Sequence, residues 1–312
     1  MAVLPRIQEL LDNAAILKQK LAAVNFKPNQ SNTREALAIM TAKYMTDIDY
    51  AIFAIDDTVL NGFYPVPVRT YIPDLTRPLP VAVFMHGGGH MSGSVSVYDG
   101  IARKLARTTG HIVISVDYRL APEFAYPTGL EDCKAVIRNA FTILNERKIQ
   151  YSGKELVLIG DSAGGALCAS ISMDKEFVAT HLINKQVLIY PSLDYTAVLP
   201  STDKYGEGYL LEKEKMKFYF NSYLQNGIDP KRASPLHNEF YANMPKTLVV
   251  VAEYDPLHDE GILYQQYASQ VGALAELFIV PGVIHAYLML EDLCKEECNT
   301  TYQEIIQFLN RK

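Results

Sequence analysis

The chain has 312 residues, 49% of them hydrophobic, and a formal net charge of −6. That is enough to bury a large core, and an α/β domain of this size often stands as one unit. Acids and bases are spread along the chain with no basic stripe for nucleic acid and no polybasic segment for anionic lipid, and no apolar run approaches the ~20 residues that span a bilayer.

In chain order, Arg6, Glu9 and Asp12 interrupt any apolar leader, so the chain reads as soluble and cytoplasmic. Leu4, Ile7, Leu10, Leu11, Ala14, Leu17 and Leu21 follow the three-and-four spacing of one buried helix face. After a polar break at 27–32, Ala36, Leu37, Met40 and Tyr44 mark a second helix over about 33–45. Two short strands, 51–58 and 66–72, flank a turn containing Asn61-Gly62 and predict an antiparallel hairpin. Compact apolar strands follow at 81–85, 112–116, 156–159, 187–190, 248–252 and 277–280. Continuous Val/Ile/Leu runs of this kind belong to a parallel sheet covered on both faces.

Helical patterns lie between most of these strands. One, with Ile101, Leu105 and Ala106, stops at Gly110, and another runs from Leu130 to Leu144. The alternation predicts a doubly wound α/β sheet. An insertion over about 191–243 carries Glu212, Lys213, Glu214 and Lys215, the charges of a solvated helix face. Its aromatics, Tyr205, Tyr209, Phe218, Tyr219, Phe220 and Tyr223, read first as packing, and some could line a substrate entrance if the insertion joins the N-terminal helices as a lid.

Ligands of open α/β sheets bind beyond the carboxyl ends of the strands, so the loops there carry the chemistry. After 81–85 comes His86-Gly87-Gly88-Gly89-His90, whose glycines let backbone N–H groups face a cavity. It lacks the third glycine of a dinucleotide loop, since Ser92 stands there, and His86 with His90 has no third metal ligand. After 156–159 comes Gly160-Asp161-Ser162-Ala163-Gly164, a strand-to-helix turn too tight for flanking side chains, which lifts the Ser162 hydroxyl clear of the sheet. Asp161 reads as an anchor of that turn, and the Ala163 amide as a donor to a developing oxyanion.

After 248–252 comes Glu253-Tyr254-Asp255, and after 277–280 comes Pro281-Gly282-Val283-Ile284-His285. The order serine, acid, histidine suits Ser162 as nucleophile, His285 as base and Asp255 as the acid that orients it. Glu253 competes as the acid but lies nearer the strand end and reads as structural. His111, His181, His237 and His258 lack the loop context of His285. Cys133 and Cys168 fall on apolar helix positions, while Cys294 and Cys298 would share a helix face without a histidine pair nearby. No disulfide, metal or cofactor is assigned.

With Asp117-Tyr118-Arg119-Leu120-Ala121-Pro122-Glu123, Ala233-Ser234-Pro235-Leu236 and Asp255-Pro256-Leu257-His258-Asp259-Glu260-Gly261 added, the chain resembles the hormone-sensitive-lipase-like family of α/β-hydrolase esterases from about residue 50 onward. The resemblance implies an α/β-hydrolase sheet of about eight mostly parallel strands in a single domain, with a cap formed by about 1–48 and about 191–243. It implies cofactor-free hydrolysis of small carboxylic esters, usually with short acyl chains, by Ser162, Asp255 and His285, with Gly87, Gly88 and Ala163 as oxyanion donors. An amidase or deacetylase keeps the same chemistry on another substrate. A binding-only relative would have lost a triad member, and this chain has lost none. Three positions depart from the family: His90 where an aromatic is common, Ala286 where glycine is common, and His258 where arginine is common. His90 is therefore expected to bind substrate by shaping the acyl or alcohol pocket. A homodimer is compatible with the sequence and not specified by it.

Overall fold

The computed structural model describes residues 2–311. Among them, strands β1 (Phe53–Asn61), β2 (Tyr64–Ile72), β3 (Leu79–Met85), β4 (Ile112–Val116), β5 (Tyr151–Asp161), β6 (Ile183–Ile189), β7 (Lys246–Tyr254) and β8 (Ala275–Ile284) form one sheet. Their order is β1-β2-β4-β3-β5-β6-β7-β8, antiparallel at β1/β2 and β2/β4 and parallel from β4 to β8. The helices are α1 (Pro5–Ala23), α2 (Gln30–Tyr44), α3 (Asp99–Thr109), α4 (Thr128–Glu146), α5 (Ala163–Ser172), α6 (Lys175–Thr180), α7 (Pro200–Lys204), α8 (Lys213–Tyr223), α9 (Pro230–Ala233), α10 (His258–Gln270) and α11 (Lys295–Asn310).

Period-two alternation divides the strand residues between two cores. Val81, Val83 and Met85 share one with Val136 of α4, Leu167 of α5 and Tyr264 of α10. Ala82 and Phe84 share the other with Ile101 of α3, Ile7 of α1 and Tyr302 of α11. Both faces are thus covered, which is why these strands read as unbroken apolar runs. A third, smaller core joins Met91 and Ala166 to Tyr195, Tyr219, Phe220 and Tyr223 of the 191–243 segment.

Several bounds differ from the sequence reading for local reasons. The polar break at 27–32 holds the start of α2, because Asn29 accepts from the Asn32 amide while Asn32 accepts from the Asn29 amide, a reciprocal cap. Strand β8 runs through Pro281 and Gly282, which had suggested a strand end; the Gly282 amide donates to Glu253 Oε2 at 2.8 Å. Only the first part of the α1 stripe is covered, with Ile7 and Leu11 buried and Leu17 exposed. Helix α10 escaped the periodicity because its buried face is Glu260, Gly261, Tyr264 and Ala268, polar and small residues among the apolar ones.

The register sets up the site. Met85 pairs with Gly160, Asp161 with Ile189, Ile189 with Val250, and Tyr254 with Ile284. The carboxyl ends of β3, β5, β6, β7 and β8 therefore lie side by side, and the five loops leaving them converge.

Candidate active site

Ser162 links β5 directly to α5 with φ +51° and ψ −118°, a left-handed backbone that costs a non-glycine residue about 1–3 kcal/mol. Its surroundings hold it there: the Ser162 amide donates to Ile189 O at 2.8 Å, and the Ser192 amide donates to Ser162 O at 3.1 Å. The close approach also requires glycine at 164, where an added Cβ would lie 1.9 Å from Met85 O.

Ser162 Oγ lies 2.9 Å from His285 Nε2, and His285 Nδ1 lies 2.7 Å from Asp255 Oδ2. All three residues are buried. A carboxylate can only accept, so Asp255 holds the proton on Nδ1 and leaves the Nε2 lone pair facing the serine hydroxyl. The other Asp255 oxygen accepts from the Leu257 amide at 2.8 Å, and the Tyr190 ring packs edge-on against His285 at 5.1 Å. Ala286, next to the base, takes φ +60°, which explains why glycine is favoured at such a position.

The glycine loop departs from the sequence reading at one residue. The Gly87 amide, expected to face the oxyanion, instead donates to Asp161 Oδ1 at 2.7 Å. Among the described residues, the amides of Gly88, Gly89 and Ala163 donate to no protein acceptor. Ala163 is the first residue of α5, where an amide has no partner within its helix. Gly89 is not singled out by the sequence, since three successive glycines do not reveal which N–H groups are left unpaired. Asp161 is fully buried, accepts also from the Tyr98 hydroxyl at 3.3 Å, and burial pushes its carboxyl up to about 7 against the pull of those donors and of His285.

His90 also departs from its expected place. It is 2% exposed, stacked face to face on Tyr223 with centroids 3.8 Å apart, and hydrogen-bonded through Nε2 to Tyr195 Oη at 3.0 Å. Burial and the neighbouring His86 push its imidazole down to about 3, so it is neutral. It therefore packs against Tyr195 and Tyr223 of the third core.

The competing residues are engaged elsewhere. Glu253 ties β7 to β8 through Gly282, while the rings of His111, His181 and His258 bond to backbone carbonyls and His237 meets Asp194 at 3.2 Å. Sequence reasoning also missed Glu260. Its buried Oε2 accepts the amides of Leu193 and Asp194 and so fixes the loop after β6. Burial raises this carboxyl well above the usual range. Cys294 and Cys298 bring their sulfurs within 3.8 Å, but among the described residues no group of three or more His, Cys, Asp or Glu is placed to hold a metal ion. No helix there is long and apolar enough to cross a membrane.

The geometry has counterparts in known proteins. A family model described as the alpha/beta hydrolase fold matches residues 82–289. An ethyl acetate hydrolase of Pseudomonas putida is 32% identical over 243 residues, 75% of this chain and 74% of that protein. Carboxylesterase NlhH of Mycobacterium tuberculosis is 32% identical over 236 residues, 73% of each. Among solved structures, a hyperthermophilic esterase from Pyrobaculum calidifontis superposes with a TM-score of 0.86 at 30% identity, covering 98% of this chain and 97% of that one.

Proposed function

This chain belongs to the hormone-sensitive-lipase-like family of α/β-hydrolase esterases and is a carboxylic ester hydrolase, and we propose that Ser162, His285 and Asp255 carry its chemistry through an acyl-enzyme. The observation that carries this reading is the unbroken hydrogen-bonded chain from Ser162 Oγ through His285 to Asp255, at 2.9 and 2.7 Å.

In the first half-reaction His285 Nε2 takes the hydroxyl proton as Ser162 Oγ bonds to the ester carbonyl carbon. The carbonyl oxygen becomes an oxyanion, for which the amides of Gly88, Gly89 and Ala163 are the donors that remain free. Collapse breaks the bond to the alcohol oxygen, which leaves with the proton from Nε2. In the second half, water gives a proton to Nε2, adds to the acyl carbon, and the bond to Ser162 Oγ breaks with return of that proton. Asp255 stabilises the imidazolium in both halves.

Short acyl esters are the substrates we assign, supported by the resemblance to an ethyl acetate hydrolase. We assign α1, α2 and the 191–243 segment as a cap that shapes the pocket. The Lys18–Glu212 ion pair at 2.8 Å supports this, since it joins the two segments. The test is a series of p-nitrophenyl esters from acetate to decanoate with the parent and Ser162→Ala. The parent is expected to turn over acetate or butyrate fastest, and the variant to lose activity by a factor on the order of 10⁶. Equal activity in both proteins would refute the mechanism, and a preference for decanoate would refute the short-chain assignment.

A further inference from the structure

We infer that His90 is a positioning residue: its hydrogen bond to Tyr195 and its stack on Tyr223 hold the Gly88-Gly89 amides in place from the 191–243 segment. The inference rests on the proposed role of those amides as oxyanion donors.

Gly88, Gly89 and His90 take φ +108°, +64° and +58° in succession. Two glycines adopt this left-handed path freely, but for His90 it costs about 1–2 kcal/mol and persists only where the surroundings impose it. The imposing groups are visible. The imidazole lies 3.8 Å from the Tyr223 ring with 7° between their planes, and Nε2 meets Tyr195 Oη at 3.0 Å. Tyr195 is itself fixed, its amide donating to Ser234 Oγ at 2.8 Å and its ring meeting Phe220 edge-on at 5.1 Å.

The same loop is gripped at two further points. The Tyr219 ring lies where a Cβ on Gly89 would be, 2.5 Å from its nearest atoms, and so closes over the loop. Arg34 of α2 donates through Nε to Met91 O at 2.7 Å. Side chains from both segments assigned to the cap thus hold the loop from above, while below it the Gly87 amide donates to Asp161 and the Ala121 amide donates to His90 O at 2.8 Å. A buried neutral imidazole whose Nδ1 has no partner would be a poor choice for packing alone, where a phenyl ring fills the same slot without the orphaned nitrogen. What histidine adds is the bond to Tyr195.

The experiment is a double-substitution cycle with His90→Phe, Tyr195→Phe and both together, alongside Ser162→Ala. Each protein is assayed for kcat and KM on p-nitrophenyl acetate and for inhibition by an aryl trifluoromethyl ketone, whose adduct places an oxyanion in the hole. Each single variant is expected to lose kcat by about tenfold with KM nearly unchanged, a fraction of the roughly 10²–10³ that follows outright loss of a donor. The inhibition constant should rise by the same factor, and the double variant should lose no more than the singles, because one bond is removed either way. If His90→Phe fails to fold, Tyr195→Phe alone carries the test through the same two readouts. Parental kcat and inhibitor affinity in the variants, or losses that multiply in the double variant, would overturn the inference. Retained hydrolysis in Ser162→Ala would instead overturn the proposed mechanism.

Discussion

Asp161 Oδ1 accepts the Gly87 amide at 2.7 Å, so the residue before the proposed nucleophile fixes the start of the glycine loop. Asp161 ends β5 and Gly87 lies in the loop leaving the neighbouring β3, and the pairing of Met85 with Gly160 brings them into register. This bond is what removes Gly87 from the set of free donors.

Asp161 should make stability depend on pH in a specific direction. Its folded carboxyl keeps a proton up to about 7, while the unfolded one releases it at about 3.9. Between those values the folded state binds more protons, so this group's contribution to stability falls as pH rises and is fully lost above about 7. The titratable groups that interact with it are Tyr98 just before α3, Tyr118, Tyr190, Tyr302, Cys168 and His285. Asp161→Asn keeps an acceptor for Gly87 and, in place of the oxygen that accepts from the Tyr98 hydroxyl, presents an amide that donates to it, all without titrating. Denaturant unfolding should show the variant gaining on the parent from pH 4.5 to pH 7.5, and a constant difference would contradict the raised carboxyl. Asp161→Ala strands a buried amide and should cost about 1–3 kcal/mol.

Glu260 offers a contrast between two substitutions. Burial raises its carboxyl well above the usual range, and its Oε2 is the acceptor oxygen for the Leu193 and Asp194 amides. Glu260→Gln preserves that oxygen and should stay within about 1 kcal/mol of the parent, while Glu260→Ala should lose about 2–3 kcal/mol in urea unfolding. Equal losses would contradict the role of that acceptor oxygen.

Gly164→Ala places a methyl carbon 1.9 Å from Met85 O and 2.7 Å from His86 O, backbone atoms that cannot swing away. A loss above about 4 kcal/mol, or failure to accumulate folded protein, is expected. Gly227→Ala is the control: its φ is +75° but nothing lies within 4 Å, so only the left-handed penalty of about 1–2 kcal/mol applies. Similar losses at both sites, read from denaturant midpoints, would contradict tight packing as the reason for glycine in the turn.

The legible part of the site was the part written in strand ends. Ser162, Asp255 and His285 each follow an apolar run, and parallel register brings such positions together whatever the intervening helices do. The illegible part depends on which way single groups turn. Gly87 and Gly89 are the same residue type two apart, and only the Asp161 carboxylate beneath the loop distinguishes them. His90 read as a pocket residue because it departs from the aromatic common at that family position, and its side-chain partners are Tyr195 and Tyr223, more than a hundred positions away in sequence. Asn29 read as a break because a polar cap and a polar loop have the same composition.

The most direct test of covalent catalysis by Ser162 is acid-quenched turnover with p-nitrophenyl acetate, followed by mass spectrometry of the digested protein. An acetyl group is predicted on the peptide containing Ser162, at Ser162 itself, and that peptide should stay unmodified in Ser162→Ala. An acetyl group on another side chain, or full turnover with Ser162 never modified, would contradict the acyl-enzyme mechanism.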